Sequence, residues 1–335
     1  MPNELLGVGG FGVQLKLTKF DKRLISRNRA ETVFNRFARQ GTIGPRQGKA
    51  ISFRRMESIY SAGNAGSAAN ASAPSPLTEG TPPAGLNATW SEVLATVSQY
   101  GQVEYFSDIV DEQSLDDVTA TAAENLGEAM TDALDLLTRD VLVAGTNRQY
   151  ASIATTRGGA SGIGSGMYLN LAELREAKRT LKRNNVKPVQ GEDGKYVVIA
   201  HPDAMYDLES DSNITTFFKD VNVPAHNEEL FRPSFKDLPL GFRIYETTNA
   251  RIFIDGGLSA ADVYCTHVLG QEAYAVISLE ALPARVIRKG RGSAGTSDPL
   301  DQLSSIGWKA PHAGVVLDQA RQVVIEHACS VNPMG

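Results

Sequence analysis

SLDDVTATAAENLGEAMTDALDLLTRDVLVAG, residues 114–145, is the longest coherent signal in the chain. Its apolar residues Leu115, Val118, Ala122, Leu126, Met130, Ala133, Leu137, Val141 and Ala144 recur at steps of three and four, the period of one face of a helix. Ser114 can cap the first turn, Asp116 and Asp117 put negative charge at the positive end of the helix dipole, and Gly145 offers a left-handed stop. At about 1.5 Å per residue such a helix is roughly 45 Å long, more than a compact domain of ordinary size needs. Other parts of the chain must lie along it. Asp116, Asp117, Glu124, Glu128, Asp132 and Asp135, spread around the helix, read as a solvated face.

Upstream, the glycine-rich first twenty residues lack a period and read as an extended arm. Ile25–Ala38 suggests a short helix with Phe34 and Phe37 toward one face and Arg23, Arg27, Arg29, Arg36 and Arg39 around the other, too short to fold without a surface to lie on. Gly48–Ile59 and Thr89–Ser107 alternate as strands and look like the two arms of a long hairpin. Between them, residues 61–86 are rich in Gly, Ala, Ser and Pro, and a loop of that length argues against a simple globule.

Downstream, residues 155–166 read as another flexible segment. Asn170 with Glu173 forms an Asn-x-x-Glu cap for a helix that ends near Asn184 and Asn185 and has a basic outer face. Tyr196–Ala200 is a buried-type strand, and Pro202 opens a short helix to about Leu208. Further strands are expected at Phe242–Glu246, Val263–His267, Tyr274–Ser278 and Arg285–Ile287, with a final pair at Gly314–Leu317 and Val323–His327. Helices and strands do not alternate as βαβ units, so the class is α+β rather than a doubly wound sheet.

Composition narrows the function. The chain has 335 residues, 42% hydrophobic and 21% charged, enough for more than one core. Two cysteines, Cys265 and Cys329, are too few for a disulfide framework and fit a reducing cytoplasm. No apolar run approaches the ~20 residues that span a bilayer, so no membrane partner is expected. Residues 1–60 hold 12 Lys and Arg against 4 Asp and Glu, while the rest of the chain holds 21 against 34. A basic arm on an acidic body points to acidic neighbours or nucleic acid.

Catalytic patterns are poor. Gly7, Gly9 and Gly12 match G-x-G-x-x-G, but a dinucleotide fingerprint follows a strand, and only six residues precede this one. The five histidines, His201, His226, His267, His312 and His327, lack zinc spacing, and Cys265 with His267 has no orienting third group. No catalytic, cofactor or metal residue is assigned. The side chains available for contact between subunits are Arg23, Arg27, Arg29, Phe34 and Phe37 on the arm, and Arg54, Arg55, Leu77, Leu86 and Trp90 on the hairpin and its loop.

An arm, a projecting hairpin, a long helix, an α+β middle and closing strands, in that order, resemble tailed-bacteriophage major capsid proteins of the Hong Kong-97-type fold. Pro76-Leu77-Thr78-Glu79-Gly80, Gln99-Tyr100-Gly101 and the run Leu137–Asn147 look like segments of the N-four-like subfamily. The resemblance implies an N-arm over 1–40, an E-loop over 41–107, a P-domain with spine helix over 108–150, an A-domain over 151–280 and P-domain return strands over 281–335. It implies no enzyme and no cofactor. The expected product is a virion capsid, assembled in the bacterial host cytoplasm from hexamers and pentamers into an icosahedral head around double-stranded DNA held without sequence specificity. Expected partners are the chain itself, a separate scaffolding protein, a portal protein and a decoration protein. The type member is crosslinked through an E-loop lysine. Residues 50–107 contain none, so noncovalent or accessory-protein reinforcement is expected. A nanocompartment shell of the same fold, and a nucleotide-dependent enzyme using the N-terminal glycines, are the alternatives.

Overall fold

The computed structural model describes residues 30, 32–56, 76–82, 90–113, 118–212, 237–238, 241–293, 295 and 298–331. In chain order the elements are β1 (Arg39–Ile43), β2 (Ala50–Met56), β3 (Trp90–Thr96), β4 (Ser98–Ser107), α1 (Asp108–Gln113), α2 (Val118–Val143), β5 (Arg148–Tyr150), α3 (Leu171–Arg183), β6 (Tyr196–Ala200), α4 (Pro202–Ser210), β7 (Asp237–Leu238), β8 (Phe242–Glu246), β9 (Ile252–Phe253), β10 (Val263–Leu269), β11 (Tyr274–Leu279), β12 (Arg285–Lys289), β13 (Leu303–Val316) and β14 (Gln322–His327).

The long helix is α2. Its Ala122 and Leu126 are buried with Phe106, Ile306, Trp308 and Ala310, and Met130, Ala133 and Leu134 pack against the same cluster. Ser114–Asp117, with the expected cap and first-turn acids, lie outside the described residues. The other end differs from expectation. Gly145 is not in the left-handed region; its N–H donates to Leu142 O (3.0 Å), and a Cβ there would come within 2.1 Å of Gln322 Nε2. Glycine ends the helix because β14 begins against it.

The sheet under α2 has the order β1-β11-β13-β12, with β4 also on β13. Strand β13 runs for 14 residues, its first part between β4 and β12 and its last part on β11. The expected hairpin is shorter than its sequence pattern. Strands β2 and β3 pair from Ala50↔Thr96 to Met56↔Trp90, and at Val97 the chain leaves the hairpin, so that Ser98–Ser107 pairs with β13 along its whole length. Likewise β13 and β14 do not form a pair: β14 belongs to a second sheet, of order β5-β14-β10-β6-β8-β7, with β9 on β10.

That second sheet packs α3 and α4 over Tyr196, Val198, Ala200, Phe242, Ile244, Val268, Val323 and Ile325. Asn170 caps α3 by accepting from Glu173 N–H (3.0 Å), and Asn184 closes it before Asn185 at φ 56°. Glu173 does not complete a reciprocal box; its carboxylate accepts from Gln149 Nε2 (2.7 Å) and Ser152 N–H (2.8 Å) instead. Residues 155–166 are also tied down: Ile163 is fully buried, its N–H donates to Arg157 O (2.9 Å), and Gly158 lies where a Cβ would meet Gly256 O at 2.9 Å. The glycines there serve close backbone packing.

Candidate assembly surfaces

Residues 33–37 form a turn, not the expected helix, with Arg36 N–H bonded to Val33 O (3.1 Å), and β1 follows, parallel to β11. The turn is fastened to α2 by Asp135, expected on a solvated face, and by Thr138. Asp135 is fully buried, and its carboxylate accepts from Val33 N–H (3.2 Å) and Asn35 N–H (2.9 Å). Burial raises its pKa, against the lowering effect of those backbone bonds. Thr138 Oγ1, one turn on, bonds Asn35 Oδ1 (2.6 Å) and His312 Nε2 (3.1 Å). Phe34 sits at the centre, fully buried, edge-on to His267 at 5.7 Å, with its carbonyl accepting from the Tyr274 hydroxyl. Phe34 therefore has no surface to offer another subunit. Phe37 packs at the margin, 4.8 Å from the Tyr245 ring, with the Arg36 guanidinium over both.

His267 is an apolar core residue in all but name. Neither ring nitrogen has a hydrogen-bond partner, and burial lowers its pKa to about 3. Neighbouring Cys265 is pushed up to about 12, first by burial and then by Glu326. A neutral imidazole and a neutral thiol give no nucleophile and base.

A second fastening joins the loop of residues 155–166 to β14. Glu326 is fully buried and receives Arg148 Nη1 (2.5 Å) together with Arg157 Nη2 (2.6 Å) and Nε (2.8 Å). Arg157 also lies 3.6 Å over the Phe253 ring, and its pKa is raised by the bond to Glu326.

The hairpin is the counterpart of these closed junctions. One face of β2 and β3, with Ile51, Phe53, Ala95 and Val97, packs on Ile43, Ala275, Ile277 and Ala313. The other presents Met56, Trp90 and Leu94, 58%, 64% and 63% exposed. Arg54 is exposed there beside Trp90, whereas Arg55 forms an ion pair with Asp318 of its own chain. Leu77 is 77% exposed. Arg23, Arg27, Arg29 and Leu86, like Gly7, Gly9, Gly12 and His226, lie outside the described residues. Sequence reasoning missed Asp135, although Asp135, Thr138 and Leu142 follow the same three-and-four spacing as the apolar stripe and mark a second buried face of α2.

A self-paired hairpin, a helix laid across a mixed sheet and a second α+β sheet layer make up a fold of the Hong Kong type. The fold matches the capsid of Ralstonia phage GP4 (TM-score 0.67, 13% identity, 99% of this chain and 100% of that one). It also matches the acid-stable capsid of Helicobacter pylori bacteriophage KHP30 (0.70, 11%, 98% and 100%) and the capsid of cyanophage P-SCSP1u (0.65, 16%, 95% and 94%). None of the curated proteins matches in sequence. The chain belongs to the phage capsid protein family, whose model matches residues 89–325. It is a major capsid protein of a phage head.

Proposed function

We propose that this capsid protein is a non-enzymatic subunit of the N-four-like kind, which forms hexamers and pentamers and closes into an icosahedral shell around double-stranded DNA. The observation that carries this reading is the hairpin. A two-stranded ribbon is marginal alone in water, and here three large apolar side chains, Met56, Trp90 and Leu94, stand exposed along it. Such a surface calls for a neighbouring copy. In this reading residues 1–40 are the N-arm, 41–107 the E-loop and 108–150 the spine-helix part of the P-domain; 151–280 form the A-domain and 281–335 the return strands. Arg54, Leu77, Leu86 and Trp90 contact the next subunit, while Arg23, Arg27 and Arg29 lie on acidic neighbours or packaged DNA.

Assembly takes place in the bacterial cytoplasm with a separate scaffolding protein and a portal protein, and a decoration protein reinforces the shell without covalent crosslinks. Size-exclusion chromatography with light scattering, on protein produced with and without its scaffold, tests the reading. Capsomers or closed particles are expected; a clean monomer at every concentration and salt in both preparations would overturn it.

A further inference from the structure

Where β4, β12 and the first part of β13 carry α2 on one face of the sheet, no described element lies on the other, whereas the hairpin covers that side of β1 and β11. The alternation that points Phe106, Ile306 and Trp308 at the helix puts Val103, Tyr105, Arg285, Ile287, Lys289 and Lys309 together on the opposite face. Tyr105 is 65% exposed and Val103 52%. Gly101 and Gly307, which share that face, add no side chains, and an open depression of about 490 Å³ lies over them. None of the positions on this face of β4, β12 and β13 is acidic.

The matching charge is in the same chain. Residues 108–128 contain seven Asp and Glu and no Lys, Arg or His, and α1 at their start exposes Ile109 and Val110 beside the exposed Glu112. This shoulder is held at the end of its own sheet through Asp108 N–H to Gln302 O (2.9 Å) and does not cover the bare face. Residues 1–29 are ill suited to cover it, since they carry six Lys and Arg against two acids.

From this complementarity, and resting on the shell reading above, we propose that the bare basic face of one subunit seats the acidic shoulder of a second copy, formed by α1 and the first turns of α2. An apolar centre of Tyr105, Val103 and Ile287 ringed by cations has the anatomy of a protein interface. A face that gripped only a phosphate backbone would need the cations alone. Charge pairs at such a rim set register and the rate of encounter more than affinity, which suits contacts that must form correctly many times in one shell.

The test uses particles assembled from a mixture of unlabelled and nitrogen-15-labelled chains, treated with a zero-length carbodiimide and mapped by mass spectrometry. Mixed-isotope crosslinks joining Lys289 or Lys309 to Asp108, Glu112 or Glu124 are expected. Particles in which those lysines crosslink only within one chain, or only to other acidic segments, overturn the proposal and leave the shell reading standing; failure to form any particle overturns both. As a second measurement, Lys289→Glu with Lys309→Glu should lower the yield of closed particles about tenfold or more, and adding Glu112→Lys with Glu124→Lys should restore it. An unchanged particle yield accompanied by lost retention on immobilised duplex DNA would make this a nucleic-acid face and refute the inference.

Discussion

Asp135 shows how one residue fixes the path of a chain. It sits in phase with Thr138 and Leu142, and removing its carboxylate orphans two backbone N–H donors from residues 33 and 35. Asp135→Ala should cost about 2–6 kcal/mol, at roughly 1–3 kcal/mol for each of the two unpaired donors, and Asp135→Asn, which keeps one acceptor, should cost less. Denaturant melts of the soluble subunit or capsomer measure both. His267 works in the opposite sense. Its folded pKa of about 3 lies below the ordinary 6.5, so the unfolded chain takes up the proton first, and stability present above pH 6.5 is lost as pH falls toward 3. The loss is about 1.4 kcal/mol per pH unit within that window. Asp135, with its raised pKa, contributes with the reverse sign, losing stability as pH rises through its folded value. Because neither nitrogen of His267 has a partner, His267→Leu should be neutral or stabilising at pH 7.5 and should flatten the decline between pH 6.5 and 4. A variant as acid-sensitive as the parent would show that the histidine is not the source.

Elements in this fold end where another chain segment arrives. Gly145→Ala should destabilise by about 1–3 kcal/mol through overpacking against Gln322, and a melt unchanged from the parent would show that β14 can give way. Glu326→Gln removes the charge between Arg148 and Arg157; a cost of about 3–5 kcal/mol is expected, with new protease cuts within residues 155–162. The same logic explains what was legible beforehand. The helices α2, α3 and α4 and the strands β6, β8, β10 and β11 announce themselves because their periods, and the Asn170 cap of α3, are local. Strand β13 does so only at its end, Gly314–Val316, since Gly307 and Pro311 punctuate the rest and its partners lie far away in sequence. The turn at residues 33–37 has helical composition, yet Asp135, about a hundred residues on, captures the N–H groups that would have continued a helix. The departure of Ser98–Ser107 from the hairpin is equally nonlocal. Its alternation fits either partner, and only β13, between β4 and β12, decides.

At the scale of the whole molecule, closed and open surfaces are segregated. Buried clusters join the turn at residues 33–37, the end of α2 and both sheets into one body through Phe34, Leu142, Ile199 and Tyr274. The hairpin keeps Met56, Trp90 and Leu94 in water, and burying one large apolar side chain contributes about 1.5–3 kcal/mol. On the proposed shell reading, part of the hairpin's stability is expected to come from a neighbouring copy. Hydrogen–deuterium exchange on free subunits and on finished shells reads this directly at residues 50–56 and 90–96. The amides of β2 and β3 should exchange quickly in the free subunit and become strongly protected in the shell, while those of β6 and β10 stay protected in both. Equal exchange of the hairpin amides in the two states would contradict the account, because the arm would then complete its burial on no neighbour at all.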